Sequence, residues 1–208
     1  MKVKICGMKH PHNVLEIAKL NPDFLGFIFY DKSPRFVGEM LSTPMPGETK
    51  KIGVFVNENT ENIMKIVQSH ALDGVQLHGQ ESAAECAELH AKGLVIIKAF
   101  NVAQATDFEQ TKQYERAVDF FLFDTKTPAH GGSGKKFDWS ILQHYHGKTP
   151  FFLSGGIGEH DAEELQKLNL PKLYAVDINS NFEVEPGLKD SQKVESFITK
   201  IRQHAIAD

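Results

Sequence analysis

Eight short apolar runs, separated by longer amphipathic stretches, dominate the pattern of hydrophobic and polar positions along the chain. They cover residues 3–6, 24–30, 51–56, 74–78, 95–100, 120–124, 151–154 and 174–178. Most are nearly continuous in apolar side chains, which is typical of parallel strands that helices cover on their outer side. The pattern therefore predicts eight parallel strands.

Helical periodicity fills most of the intervals between these runs. Ser82 and Glu85 have the spacing of a capping box, which predicts a helix from there to about residue 90. Similar spacing occurs in residues 13–20, 62–69, 161–168 and 194–201. The interval after the second run differs, because Pro44, Pro46 and Gly47 interrupt it. We expect a shortened or irregular segment there.

Eight strands alternating with helices over 208 residues predict an α/β protein, a single-domain (β/α)8 TIM barrel that spans residues 1–208. An open, doubly wound sheet is the structural alternative. It is disfavoured because no GxGxxG motif follows the first strand, where a dinucleotide-binding fold carries one. No linker or change of composition divides the chain.

Composition and charge narrow the choice of partners. The chain has 23 Lys and Arg against 27 Asp and Glu, a formal net charge of -4, which argues against a basic surface for nucleic acids. No run of about 18 apolar residues occurs, and the first ten residues lack an apolar stretch of signal-peptide length. We expect a cytoplasmic protein with no nucleic-acid or membrane partner.

The cysteines and histidines do not form a metal or disulfide motif. Cys6 and Cys86 are the only cysteines, so we expect free thiols rather than a disulfide framework. The ten histidines are scattered, and neither His10-Pro11-His12 nor His144-Tyr145-His146 has the acidic or cysteine neighbours of a common metal motif. We therefore expect no metal.

Reactive residues stand at the ends of several predicted strands, where barrel enzymes carry their active sites. Cys6 ends the first strand and Asp124 the sixth. Because side chains alternate along a strand, Lys4 shares a face with Cys6, and Leu122 shares one with Asp124. If these faces point inward, the thiol and the carboxyl group meet at one barrel mouth. A buried small hydrophobe and a turn-capping acid are the alternative interpretations.

The glycine-rich segment after Asp124 fails as a nucleotide-binding loop. A Walker motif needs glycine where Ala129 stands and a hydroxyl side chain where Lys136 stands. Gly131 and Gly132 are better explained as a loop that folds close over a ligand, since glycine permits approaches that a Cβ forbids.

A phosphate site is predicted at the ends of strands seven and eight. Residues 154–158, Ser-Gly-Gly-Ile-Gly, end a strand and lead into a helix, an arrangement that suits backbone N–H groups directed at an anion. Together with the loop after strand eight, they would form the phosphate site common in such barrels. The predicted partner is a phosphorylated small molecule.

Ten segments carry a family resemblance. They are Lys4-Ile5-Cys6-Gly7, Gly26-Phe27-Ile28-Phe29, Ser33-Pro34-Arg35-Phe36-Val37, Gly53-Val54-Phe55-Val56-Asn57, Gln76-Leu77-His78-Gly79, Phe123-Asp124, Gly131-Gly132-Ser133-Gly134, Phe137-Asp138-Trp139, Leu153-Ser154-Gly155-Gly156-Ile157 and Pro186-Gly187-Leu188-Lys189-Asp190. In this order and spacing the chain resembles phosphoribosylanthranilate isomerase, a barrel enzyme of tryptophan biosynthesis, nearly from end to end.

The resemblance implies an Amadori rearrangement of N-(5-phosphoribosyl)anthranilate without metal or organic cofactor. It implies that Asp124 is the general acid, that Cys6 is the general base, and that Arg35 binds the anthranilate carboxylate with its planar fork. His78 and Asp177 are weaker candidates, either for substrate contact or for orienting other groups. The remaining predicted site residues are substrate contacts at Gly131 and Gly132 and phosphate contacts at Gly155, Gly156, Ser180 and Asn181. It leaves open whether the protein associates with a neighbouring tryptophan-pathway enzyme.

Both catalytic groups would need a shifted pKa. We expect apolar Phe121 to Phe123 and the substrate dianion to raise the pKa of Asp124, and a cation such as Lys4 to lower that of Cys6.

One segment departs from the family pattern Asp-x-Ser-Ser-Gly-x-Glu, because Asn179 replaces a serine and Asn181 the glycine. Asparagine tolerates the left-handed backbone region, so the loop is expected to keep its shape.

Two other functions remain as alternatives. They are another sugar-phosphate isomerase or epimerase and a non-catalytic phosphate-binding barrel.

Overall fold

The computed structural model describes residues 1–38, 47–124 and 138–203. Its eight main strands form a closed barrel in the order of the chain, and every neighbouring pair is parallel. The strands are β1 (Lys2–Ile5), β2 (Phe24–Ile28), β3 (Lys50–Phe55), β4 (Gly74–Leu77), β5 (Val95–Asn101), β6 (Phe120–Asp124), β7 (Phe151–Ser154) and β8 (Leu173–Ile178). The predicted barrel is confirmed, and the open sheet is wrong because β1 pairs with β8.

Five α-helices lie among the described residues, and all five had been predicted from periodicity. They are α1 (Pro11–Ala18), α2 (Thr60–His70), α3 (Ala83–His90), α4 (Ala162–Lys167) and α5 (Ser191–Gln203). The capping box of α3 is present, with Ser82 N donating to Glu85 Oε2 at 2.7 Å and Glu85 N donating to Ser82 Oγ at 3.3 Å. Such a cap pairs two N–H groups that the helix itself leaves without acceptors.

Elsewhere the outer layer is thinner than in a regular (β/α)8 barrel. Two 3₁₀ helices, Ala105–Tyr114 and Trp139–His144, follow β5 and precede β7, in intervals for which no helix had been predicted. Between β2 and β3, the described residues 29–38 and 47–49 contain no helix, and Pro44 and Pro46 lie outside the described residues. A hairpin of β9 (Glu183–Glu185) and β10 (Leu188–Lys189) had not been predicted.

Two separate apolar clusters fill the two sides of the sheet. The larger lies between the strands and the helices. The smaller fills the barrel interior and consists of Phe24, Ile52, Ile97, Ala99, Leu122, Phe152 and Ala175. Lys4 is paired with Phe24 across β1 and β2. Since paired residues in adjacent strands face the same side, Lys4 points inward, and so does Cys6 two residues later.

The same alternation carries the inner face up to the mouth of the barrel. Asp124 follows the interior Leu122 by two residues, and Asp177 follows the interior Ala175 by two. The inner face is therefore apolar at its base and ionisable towards the carboxyl ends of the strands. No helix in the described ranges is long and apolar enough to cross a membrane.

Candidate active site

The Cys6 thiol lies at the end of β1, in a space that only glycine leaves open. Cys6 is 5% exposed, and its backbone N–H donates to Ile178 O at 2.9 Å, which continues the pairing with β8. A Cβ on Gly26 of β2 would lie 2.9 Å from Cys6 Sγ and 3.1 Å from Lys4 Nζ. The first distance is shorter than real Cβ contacts and the second is tighter than most, so Gly26 leaves room for the thiol and the ammonium group to share the inner face.

Lys4 forms a buried ion pair with Asp177 across β1 and β8. Lys4 Nζ lies 3.0 and 3.1 Å from the two carboxylate oxygens, and its side chain is fully buried. Burial lowers the pKa of Lys4, but attraction to Asp177 and Cys6 and the hydrogen bonds to both outweigh burial and raise it. Asp177, a candidate for substrate contact or for orienting other groups, is thus paired with Lys4.

The pKa of Cys6 is shifted in the direction opposite to the expected one. Burial raises the pKa of the thiol above its usual 9.0, and Lys4 lowers it less than burial raises it. The effect of Lys4 has the expected direction but does not prevail. The thiol is therefore less acidic than a free cysteine.

We expect alkylation of Cys6 by iodoacetamide to keep accelerating as the pH rises above 9, because thiolate is the reacting species and the raised pKa delays its formation. The rate would be followed by mass spectrometry of the Cys6 peptide. Cys86 serves as the internal control, since it is fully buried in α3 and its pKa is raised to about 11. A Cys6 titration midpoint below 9 would contradict this prediction.

Asp124 and His78 face each other across the barrel mouth. Asp124 is 9% exposed, and His78 Nε2 lies 3.8 Å from its Oδ2, with the His78 side chain more open to solvent. Fewer of the expected apolar side chains lie on the same face as Asp124. Phe121 and Phe123 belong to the cluster between sheet and helices, and only Leu122 shares the inner face with the carboxyl group.

Gln76 connects the barrel interior to His78. Gln76 Nε2 lies 2.9 Å from His78 Nδ1, and the amide N–H can donate to that ring nitrogen. The proton of a neutral imidazole then lies on His78 Nε2, which is directed towards Asp124. Gln76 is almost completely buried, and its Oε1 has no hydrogen-bond partner among the described residues. Sequence reasoning had quoted Gln76 as part of a motif and had given it no role.

A second buried ion pair holds the backbone beside His78. Glu81 accepts hydrogen bonds from Asn57 N at 2.8 Å, Gly79 N at 2.9 Å and Lys98 Nζ at 3.1 Å. It therefore joins the loops after β3 and β4 to β5. The pattern of apolar residues gives no role to Glu81 or Lys98. Lys98 points into the outer layer, where that pattern predicts an apolar side chain. A cavity of about 290 Å³ opens next to this network and is lined by His78, Lys98 and Tyr114 among others.

Arg35 lies beside the end of β1, where a Cβ on Gly7 would come within 2.7 Å of its Cδ. Its guanidinium group is paired with Glu183, with Nη2 2.6 Å from Oε2. Burial would raise the pKa of Glu183, but hydrogen bonds from Arg35 and Lys189 lower it to about 2. A site role was predicted for Arg35, whereas Glu183 and Lys189 stood in quoted motifs without a role.

The predicted phosphate residues lie together at the ends of β7 and β8. Gly155 and Gly156 both have positive φ, 106° and 68°, values that glycine adopts without strain. Asn181 Nδ2 donates to Gly156 O at 2.8 Å and to Ile157 O at 3.1 Å, and so ties one loop to the other. Ser180 begins the 3₁₀ helix Ser180–Phe182.

The two asparagines of the variant segment keep the loop by side-chain hydrogen bonds. Neither Asn179 nor Asn181 has a positive φ, so the expected left-handed backbone is not what accommodates them. Asn179 Oδ1 instead accepts a hydrogen bond from Lys189 Nζ at 2.7 Å. The loop residues Gly131 and Gly132 lie outside the described residues. In the described ranges no three His, Cys, Asp or Glu side chains are grouped as metal ligands.

Comparisons with known proteins give matches over nearly the whole chain. Residues 3–200 match the family model described as N-(5'phosphoribosyl)anthranilate (PRA) isomerase. The N-(5'-phosphoribosyl)anthranilate isomerase of Parabacteroides distasonis is 46% identical over 211 residues, which cover 99% of this chain and 96% of the relative. That of Phocaeicola vulgatus is 43% identical over 203 residues, 98% of each chain.

Solved structures extend the likeness to three dimensions. Phosphoribosyl anthranilate isomerase from Thermotoga maritima gives a TM-score of 0.84 at 33% identity, over 97% of this chain and 98% of that chain. A second structure, with a TM-score of 0.81 at 30% identity and the same coverage, is of a phosphoribosyl anthranilate isomerase in complex with reduced 1-(o-carboxyphenylamino)-1-deoxyribulose 5-phosphate. The ligand of that relative carries a carboxylate and a phosphate.

Proposed function

This chain belongs to the N-(5'-phosphoribosyl)anthranilate isomerase family, and from that premise we propose that Asp124 and Cys6 act as its general acid and general base. The reaction is the Amadori rearrangement of N-(5'-phosphoribosyl)anthranilate to 1-(2-carboxyphenylamino)-1-deoxyribulose 5-phosphate, a step of tryptophan biosynthesis. The observation that carries the assignment of roles is that both residues stand on the inner face of the barrel, at the carboxyl ends of β1 and β6.

The reaction needs one proton given and one proton taken. As the furanose opens, its ring oxygen gains a proton and the aniline nitrogen forms a Schiff base with C1'. C2' then loses a proton, which yields the enolamine that becomes the ketone. A positioned acid and a positioned base contribute about 10²- to 10⁴-fold each to such steps.

Asp124 suits the acid role because its carboxyl group is nearly buried above Leu122 and faces His78. Donation to the ring oxygen leaves a carboxylate. His78 Nε2 lies 3.8 Å from Asp124 Oδ2 and would stabilise that carboxylate as the two groups draw closer in the complex.

Cys6 suits the base role through the charges that surround it. Lys4 and Lys189 lower the pKa of the thiol, whereas Asp177 raises it. Burial raises the pKa of the thiol, so an additional positive charge beside it would favour the thiolate. The protonated Schiff base supplies such a charge next to C2' at the stage when the base is required.

The two ends of the substrate would bind to different groups at the mouth. The loops that contain Gly155 and Gly156 and the 3₁₀ helix at Ser180 present backbone groups for the phosphate, as in other barrels. Arg35, beside the end of β1, would bind the anthranilate carboxylate. Gly131 and Gly132 are proposed to cover the substrate, and Asp177 to orient Lys4.

The test is turnover by purified protein, followed as loss of the anthranilate fluorescence of N-(5'-phosphoribosyl)anthranilate. We expect conversion without added metal and in the presence of a chelator. Folded wild-type protein that does not convert the substrate would exclude the isomerase and leave a non-catalytic phosphate-binding barrel. Conversion that depends on metal would favour an epimerase-like mechanism, although the described residues offer no group of metal ligands.

A further inference from the structure

Glu183, the first residue of β9, holds Arg35 by one edge of its guanidinium group. Arg35 Nε donates to Oε1 at 2.8 Å, and Nη2 donates to Oε2 at 2.6 Å, which is a bidentate pair. The side chain of Glu183 is only 5% exposed. The other edge of the guanidinium, formed by Nη1 and the second Nη2 proton, has no partner among the described residues.

Glu183 is itself fixed from the opposite side. Lys189 Nζ donates to Glu183 Oε1 at 2.7 Å, and Gly187 N donates to the same oxygen at 3.1 Å. Lys189 is in turn held by Asn179 Oδ1 at 2.7 Å. The carboxylate therefore cannot turn without breaking several hydrogen bonds, and it transmits a fixed position to Arg35.

The positive and negative charges of Arg35, Glu183 and Lys189 do not cancel. With Arg35, Glu183 and Lys189 all ionised, the three side chains carry one net positive charge. The low pKa of Glu183 keeps it ionised at neutral pH. Since Arg35 crosses Gly7, one residue beyond Cys6, the surplus charge lies at the barrel mouth and matches one incoming carboxylate.

We propose that Glu183 is a positioning residue that sets the specificity of the enzyme for substrates with a carboxylate on the aromatic ring. It occupies the Nε edge of Arg35 and thereby directs the Nη1–Nη2 edge to the substrate. The inference rests on the proposed contact between Arg35 and the anthranilate carboxylate. Fixing a guanidinium before binding reduces the entropy lost when the ligand binds.

Removing the charge of Glu183 does not simply strengthen anion binding. Lys189 is buried, and burial already lowers its pKa. Without Glu183 it loses its nearest anion, so its pKa falls further and its charge is more easily lost. We therefore expect the loss of orientation at Arg35 to outweigh any gain in positive potential.

The test compares two ligands on Glu183→Gln and Glu183→Asp. One ligand is the reduced product, 1-(2-carboxyphenylamino)-1-deoxyribitol 5-phosphate, and the other is the same compound without the ring carboxyl group. We expect calorimetry to show that both variants lose about tenfold in affinity for the first ligand and less than about twofold for the second. With substrate, KM should rise by a similar factor while kcat changes little. Glu185→Gln, an exposed change on the same strand, is the matched control.

Glu183→Asp keeps the charge and shortens the reach, so it separates position from charge. Unchanged discrimination in Glu183→Asp, or higher affinity for the carboxylated ligand in Glu183→Gln, overturns the inference. Arg35→Lys tests the proposed function separately. If Arg35→Lys keeps the preference for the carboxylated ligand, the Arg35 contact is wrong and the inference fails with it. If Arg35→Lys loses the preference and both Glu183 variants keep it, only the positioning role is wrong.

Discussion

Replacement of Asp124 by asparagine is expected to lower kcat by about 10²- to 10⁴-fold, the usual contribution of general acid catalysis. Asparagine has nearly the same shape and can still form hydrogen bonds, but it cannot give a proton to the ring oxygen. The effect should therefore fall on kcat, with KM changed much less. Steady-state loss of substrate fluorescence measures both constants.

Asp73→Asn provides the control for this substitution. Asp73 lies just before β4, at the opposite end of the barrel, and accepts a hydrogen bond from Lys51 N that an asparagine can still accept. It should leave kcat unchanged. Asp124→Glu retains an acid and should recover part of the activity. A fully active Asp124→Asn variant would show that another group opens the ring.

Cys6→Ala is expected to reduce kcat to a similar extent, by about 10²- to 10⁴-fold, because no base remains to take the C2' proton. The substitution removes one buried sulfur next to Gly26, so the barrel should stay folded. Circular dichroism and thermal unfolding would verify this before the fluorescence assay.

Cys86→Ala is the matched control for the thiol, since Cys86 is the second free cysteine and is fully buried in α3. We expect it to keep the wild-type kcat. Activity in Cys6→Ala close to the wild-type value would mean that Lys4 or another group is the base. Equal losses in both cysteine variants would indicate a packing effect rather than catalysis.

The barrel could be predicted from the sequence because its strands are buried on both faces. Near-continuous apolar runs such as those at β6 and β7 are a strong local signal, and the observed bounds of both strands equal the predicted ones. The outer layer was harder, because the 3₁₀ helix Ala105–Tyr114 is mostly polar and follows a three-residue turn. The short hairpin formed by β9 and β10 has too few residues to show a period.

Some residues of the candidate site could also be predicted from local sequence patterns. The ends of parallel strands meet at one face, so the positions of Cys6 and Asp124 within their runs already indicated the barrel mouth. Gly155 and Gly156 were predicted because a strand that leads through glycines into a helix is a local pattern. The sequence could not show that Gly26 makes the space in which Cys6 and Lys4 approach each other.

The sequence by itself thus determined the order of strands and helices, the alternation of inward and outward side chains, and which reactive residues stand at strand ends. The tertiary structure decided the partners and the electrostatics. Lys4 meets Asp177 across 173 residues, and Arg35 meets Glu183 across 148. It also decided that burial outweighs Lys4 at the Cys6 thiol. The reason is physical, since periodicity depends on neighbours along the chain, whereas ion pairing and desolvation depend on neighbours in space.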